Sequence, residues 1–87
     1  MSRSQVELIE VHTACEKIRL HLAKEPLHDL TKQILEACLE RLPTGQYSLD
    51  DLHTILHNHT HFPNYDELSL IFEEVFTSVH TAMDKWF

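Results

Sequence analysis

Glycine and proline are scarce in this sequence, which has one glycine and three prolines among its 87 residues. A β-sandwich needs a turn roughly every 8–12 residues, and most turns require residues of these types. The shortage therefore excludes a sandwich and favours a few long helices joined by short loops. A chain of this length forms one small domain, and its apolar fraction of 43% is sufficient for a folded core.

Long apolar runs are also missing. No stretch approaches the roughly 18 consecutive apolar residues of a membrane-spanning helix. The N-terminal sequence MSRSQVELIE lacks the apolar core of about 7–15 residues that a secretory signal peptide contains. We therefore expect a cytoplasmic protein that does not insert into the membrane. In that compartment Cys15 and Cys38 are expected to be reduced thiols, and the sequence does not show whether they are adjacent.

Basic residues are outnumbered by acidic ones. The 14 acidic and 7 basic residues give a formal net charge of −7 with neutral histidines. An acidic chain without a basic stripe repels the phosphates of nucleic acid, so we expect no nucleic-acid partner. The eight histidines would bring the net charge to +1 if all were protonated, which would remove most of the self-repulsion at mildly acidic pH.

Recognisable catalytic motifs are lacking as well. The chain has no glycine-rich phosphate loop, no nucleophile elbow and no Cys-x-x-Cys motif. Two pairs of adjacent carboxylates, Asp50–Asp51 and Glu73–Glu74, are placed where they would cap a helix or cover a solvent-facing surface. We predict a protein that is not an enzyme and that needs no cofactor.

Four segments carry apolar residues at spacings of three and four, which is the pattern of amphipathic helices. The predicted inner faces of the first two are Leu8, Val11, Cys15, Ile18 and Leu22, and Leu27, Leu30, Ile34, Cys38 and Leu42. Pro26 suits the first turn of the second helix. Caps are predicted at Ser48, with Asp51 three residues later, and at Asn64, with Glu67 three residues later.

These signals predict helices at about residues 4–24, 26–42, 48–60 and 64–86. Connections of roughly 2–7 residues between them predict an all-α fold, an antiparallel up-down four-helix bundle. Gly45 lies in the second connection and is the natural position for a positive φ angle. The residues expected in the core include Ile18, Ile34, Leu52, Phe72 and Val79.

The stretch HTILHNHTHF, residues 53–62, contains four histidines. On a continuous helix His53, His57 and His61 would form one stripe, with His59 beside it. Two histidines four residues apart can bind zinc, but zinc needs three or four ligands and residues that orient them. A solvated histidine face is the favoured interpretation, and a pH-responsive surface and a metal site are the alternatives.

Aromatic residues concentrate after residue 60. Aromatic side chains dominate the binding energy of many protein interfaces, and here they lie beside adaptable polar residues. We therefore predict a partner-binding surface formed by the third helix, the following loop and the fourth helix. The residues assigned to it are Phe62, Tyr65, Trp86, Phe87, His57, His59 and His61.

The helix layout resembles that of the immunity proteins for pediocin-like bacteriocins. The stretch LTKQILEACLERLPTGQYSLDDLHTIL, residues 30–56, is similar to that family's second helix, turn and short third helix. Members of the family tend to be basic, whereas this chain is acidic. The resemblance implies a non-catalytic role. The protein would associate, on the cytosolic side of the membrane, with a sugar-transporter receptor that is engaged by bacteriocin. The C-terminal half would determine specificity.

Two other functions fit the sequence. One is a small regulatory adaptor or anti-factor that binds a transcription or signalling protein through one helix face. The other is a metal- or pH-responsive helical module built on the histidine-rich segment.

Overall fold

The computed structural model describes residues 3–24 and 26–86, and the side chains of residues 8–24 and 26–82. No β-strand occurs within these two ranges. The four helices are α1 (Arg3–Lys24), α2 (Asp29–Arg41), α3 (Leu49–His57) and α4 (Tyr65–Trp86). The predicted all-α fold is confirmed.

The two long helices form the centre of the bundle. The most extensive packing joins α1 and α4, while α2 packs on α1 and α3 packs on α4. His21 of α1 lies against Glu74, whereas Glu10 lines a cavity together with His80, so α1 and α4 run antiparallel. The arrangement is a four-helix bundle in which the nine-residue α3 covers only part of the length of α4.

The core consists of apolar side chains that repeat at helical spacing. Its buried members are Ala14, Cys15, Ile18, Leu35, Cys38, Leu42, Leu52, Leu68, Ile71, Phe72, Val75 and Val79. Four of the five predicted core residues are among them, and Ile34 is half-buried. Leu8 was placed on the inner face but is 69% exposed. Val11, one turn later on the same stripe, is half-buried and lines a cavity with Leu42, just past the end of α2.

The second helix begins three residues later than predicted, at Asp29, so Pro26 does not occupy its first turn. His28 has an extended conformation, and its Nδ1 accepts a hydrogen bond from the Leu30 N–H at 3.2 Å. The His28 N–H in turn donates to Glu67 Oε1 at 3.1 Å, which attaches the entry of α2 to the first turn of α4. The side chain of His28 thus supplies the cap, which the proline pattern did not reveal.

The connection between α2 and α3 follows the predicted chemistry. Gly45 has φ +79°, the only positive φ among the described residues. Ser48 and Asp51 form the predicted capping box, because Asp51 Oδ2 accepts from the Ser48 N–H at 2.8 Å and Ser48 Oγ accepts from the Asp51 N–H at 3.3 Å. The start of α3 is therefore fixed by its own first turn.

The third helix ends at His57, three residues before the predicted position. Beyond it, hydrogen bonds from the N–H groups of His59, Phe62 and Tyr65 each reach the carbonyl three residues earlier, at 3.0–3.1 Å. These bonds curl the chain into successive turns. Pro63 disfavours a helical conformation for the residue before it, which explains why the helix does not continue into α4.

Within the described residues, no helix combines the length and the apolar character needed to cross a membrane.

Candidate protein-binding surface

The loop between α3 and α4, residues 58–64, is held by a buried polar network of Thr31, His59 and Asn64. Asn64 Nδ2 donates to Thr31 Oγ1 at 2.8 Å, and Asn64 Oδ1 lies 2.5 Å from His59 Nε2. An amide oxygen can only accept a hydrogen bond, so His59 Nε2 carries a hydrogen and donates it. The network ties the loop to α2, 33 residues earlier in the chain.

The members of this network lie inside the bundle. Thr31, His59 and Asn64 have relative exposures of 0%, 8% and 3%. Buried polar groups that satisfy one another make a segment rigid, because opening the segment would leave them without partners. The sequence placed Asn64 as a helix cap and His59 on a partner-binding surface. Asn64 does occupy the cap position, because it precedes α4 and its carbonyl accepts a hydrogen bond from the Leu68 N–H at 3.0 Å, but its side chain binds Thr31 and His59 and does not cap the helix. His59 is buried and not exposed as expected.

The loop presents one aromatic side chain to solvent. The rings of His59 and Phe62 stack with centroids 4.3 Å apart and planes 8° apart, and Phe62 is 48% exposed. One face of Phe62 is thus supported by a ring that the network holds in place, and much of the rest is accessible. Phe62 is thus accessible, and its role in binding a partner stays a prediction.

The other three histidines of the segment, His53, His57 and His61, do not form a common site. His53 stacks on Phe76 of α4, with centroids 4.0 Å apart and planes 7° apart. His57 and His61 are exposed, and His61 lies beyond the end of α3, so the stripe over three helical turns does not exist. The interpretation as a solvated face holds for His53, His57 and His61 and is wrong for His59. Within the described part of the chain, no three histidine, cysteine or acidic side chains are placed to hold a metal ion.

The other predicted partner-binding residues have mixed placements. Tyr65 is half-buried at the start of α4. The side chain of Trp86 and the whole of Phe87 lie outside the described residues. The sequence missed Phe76, whose stacking on His53 shapes the surface between α3 and α4.

A groove follows that surface, and we call it the His53 groove. It has a volume of about 600 Å³, and its lining residues come from α3 and α4: His53, Leu56, Ser69, Glu73, Phe76, Thr77, His80 and Thr81. A second cavity of about 330 Å³ shares His53, Phe76 and His80 with it and reaches Glu10 of α1. The lining of the groove therefore includes the half-buried apolar side chains of Leu56 and Phe76 and the exposed carboxylate of Glu73.

The two thiols lie in the core and not on this surface. Cys15 and Cys38 are 3% and 0% exposed, and neither forms a disulfide. Burial raises the pKa of Cys15, and burial together with the nearby Cys15 raises the pKa of Cys38 to about 12. At neutral pH both thiols are protonated, and a protonated thiol is a poor nucleophile. Both side chains therefore pack as small apolar groups.

Comparison of the chain with protein-family models, with curated proteins and with solved structures gives no match. A function for the chain is therefore inferred from its surface and its helix layout.

Proposed function

We propose that this chain is a non-catalytic protein-binding module that binds a protein partner through the α3–α4 loop and the adjoining faces of α3 and α4. The observation that carries the proposal is the exposed Phe62 ring on a loop locked by buried hydrogen bonds. A loop that is already rigid loses little conformational entropy on binding, and an aromatic ring supplies a large contact area.

The surroundings of Phe62 support the same surface. His57 and His61, which precede it in the sequence, are exposed and can exchange hydrogen bonds with a partner. In the core, burial keeps both thiols protonated at neutral pH, which removes them as nucleophiles. These features suit recognition better than chemistry.

Bacteriocin immunity is the specific form that we propose. Its support is the order and length of the helices: a 13-residue α2, a tight turn, a nine-residue α3 and a 22-residue α4. In this role the protein would act on the cytosolic side of the membrane, on a sugar-transporter receptor engaged by bacteriocin. The C-terminal half, including Phe62, would recognise that complex.

The test is protection of a sensitive host. Cells sensitive to pediocin-like bacteriocins are made to express the chain, a Phe62→Ala variant or a Leu20→Ala variant, and survival is measured over a series of bacteriocin concentrations. Leu20 is a matched control because it is an exposed apolar residue, 55% accessible, on α1 and outside the proposed surface. We expect protection from the unmodified chain and from Leu20→Ala, and reduced protection from Phe62→Ala.

Each part of the proposal can fail separately. If no pediocin-like bacteriocin is resisted, immunity is rejected and the regulatory adaptor becomes the better candidate. If protection is found but Phe62→Ala protects as well as Leu20→Ala, the assignment of the binding surface is rejected.

A further inference from the structure

Charge is distributed unevenly along this chain. Residues 48–82, which form α3, the loop and most of α4, contain six carboxylates and no lysine or arginine. The first 47 residues contain seven acidic and six basic side chains. Most of the net charge of −7 therefore belongs to the part of the molecule that forms the His53 groove.

The groove is long enough to hold a short helix. Its α4 wall extends from Ser69 to Thr81, which is roughly 18 Å at the rise of an α-helix. The nine residues of α3 span only about 13 Å. Leu56 and Phe76 are half-buried, so part of their apolar surface is open to an additional helix.

Carboxylates line the same two cavities as these apolar side chains. Glu73 is exposed on the α4 wall, and Glu10 of α1 lines the adjoining cavity beside His53 and His80. Among the side chains that the structure describes, no lysine or arginine lines either cavity, and Lys17 of α1 lines a neighbouring cavity with Glu73. A groove whose lining combines apolar side chains with acidic groups complements a helix with an apolar face and basic side chains.

We propose that the His53 groove binds a cationic amphipathic helix of a partner protein. Leucine-like side chains of that helix pack on Leu56 and Phe76, and its lysine or arginine side chains pair with Glu73 and Glu10. A second copy of this chain is a poor occupant, because its own α3–α4 surface carries the same negative charge. The inference deepens the proposed function, because it names the chemistry of the protein partner.

The test uses a model peptide of about 14 residues, composed of leucine and lysine in a helical pattern. A control peptide has glutamate in place of each lysine. Binding to the full chain is followed by amide chemical shifts in ¹H–¹⁵N spectra and by calorimetry. We expect the cationic peptide to bind with a Kd of about 10 μM and to shift amides of α3 and α4 along the groove, and we expect the anionic peptide not to bind.

Two pairs of charge variants distinguish binding in the groove from nonspecific attraction between the cationic peptide and the acidic protein. Glu10→Gln combined with Glu73→Gln should weaken binding about five- to tenfold, since each exposed ion pair contributes a few-fold in affinity. Glu36→Gln combined with Glu40→Gln removes the same charge from exposed positions on α2 and should change the affinity by less than about twofold.

Three results would overturn the proposal. They are the absence of binding by the cationic peptide, shifts spread over α2 as well as the groove, and equal losses in the two pairs of variants. Its failure is distinguishable from that of the proposed function, since Phe62 does not line the groove. Phe62→Ala should therefore leave the peptide affinity unchanged while it reduces protection.

Discussion

Replacing Asn64 by alanine tests whether the buried polar network holds the loop. Asn64 is 3% exposed and makes hydrogen bonds to both Thr31 and His59. The substitution leaves the Thr31 hydroxyl and the His59 ring nitrogen buried without this partner. A buried polar group without a partner costs about 1–3 kcal/mol, so we expect a loss of about 2–4 kcal/mol in the free energy of unfolding.

This loss is large for a small domain. A chain of 87 residues has a total stability of roughly 4–13 kcal/mol. The variant should still fold, with a Tm lowered by about 10–25 °C. The free energy of unfolding is measured by urea denaturation followed by circular dichroism, and the Tm by calorimetry. Loop order is measured by hydrogen exchange of the Phe62 and Tyr65 amides, which should become faster than in the unmodified chain.

The matched control is Asn58→Ala, the same substitution at an exposed position in the same loop. It should change stability by less than about 0.5 kcal/mol. A double-mutant cycle with Thr31→Val then isolates the Asn64–Thr31 bond, for which we expect a coupling of about 1 kcal/mol. If Asn64→Ala and Asn58→Ala destabilise the protein equally, the network does not hold the loop and the reasoning fails.

Three further predictions concern the core, metal binding and the thiols. Phe72→Ala should lower the free energy of unfolding by about 3–5 kcal/mol, because Phe72 is fully buried. Phe62→Ala should lower it by less than about 0.5 kcal/mol. Similar losses for the two variants in urea denaturation would contradict the assignment of the core. Zinc at micromolar concentration should not raise the Tm, because His53 and His57 on one helix face supply two ligands and zinc needs three or four. A tight stoichiometric zinc complex that is abolished by His57→Ala would refute this prediction. Cys38 should react with a thiol reagent at pH 8 only after unfolding, because burial raises its pKa to about 12. Ionisation of the Cys38 thiol in the unfolded chain should also lower the free energy of unfolding as pH rises above about 9, since the folded thiol stays protonated there. Rapid labelling of Cys38 in the folded protein would contradict both predictions.

The helical elements and most core residues could be predicted because they depend on local patterns. Ile18 and Phe72 lie on well-defined apolar stripes, and the Ser48 capping box requires only residues within one turn. The start of α2 could not be predicted in the same way. It depends on His28 acting as a cap and on Glu67, which is 39 residues away.

The polar network was missed although its signal is present in the sequence. Thr31 precedes Leu35 by four residues, and Asn64 precedes Leu68 by four, so each extends a buried helix face by one turn. His59 likewise lies seven residues after buried Leu52. A search for apolar residues alone passes over polar residues at inner-face positions. Their mutual pairing cannot be read from sequence, because it depends on how α2 meets the loop.

The packing of α1 on α4 has a consequence for synthesis of the protein. The most extensive interface joins the first and the last of the four helices, and 40 residues separate them. At ordinary rates of translation, roughly 2–8 s pass between completion of α1 and the appearance of α4. During that time α1 lacks the helix on which it packs most extensively, so the nascent chain exposes apolar surface, and such surface promotes aggregation. Folding is therefore completed only when α4 has emerged.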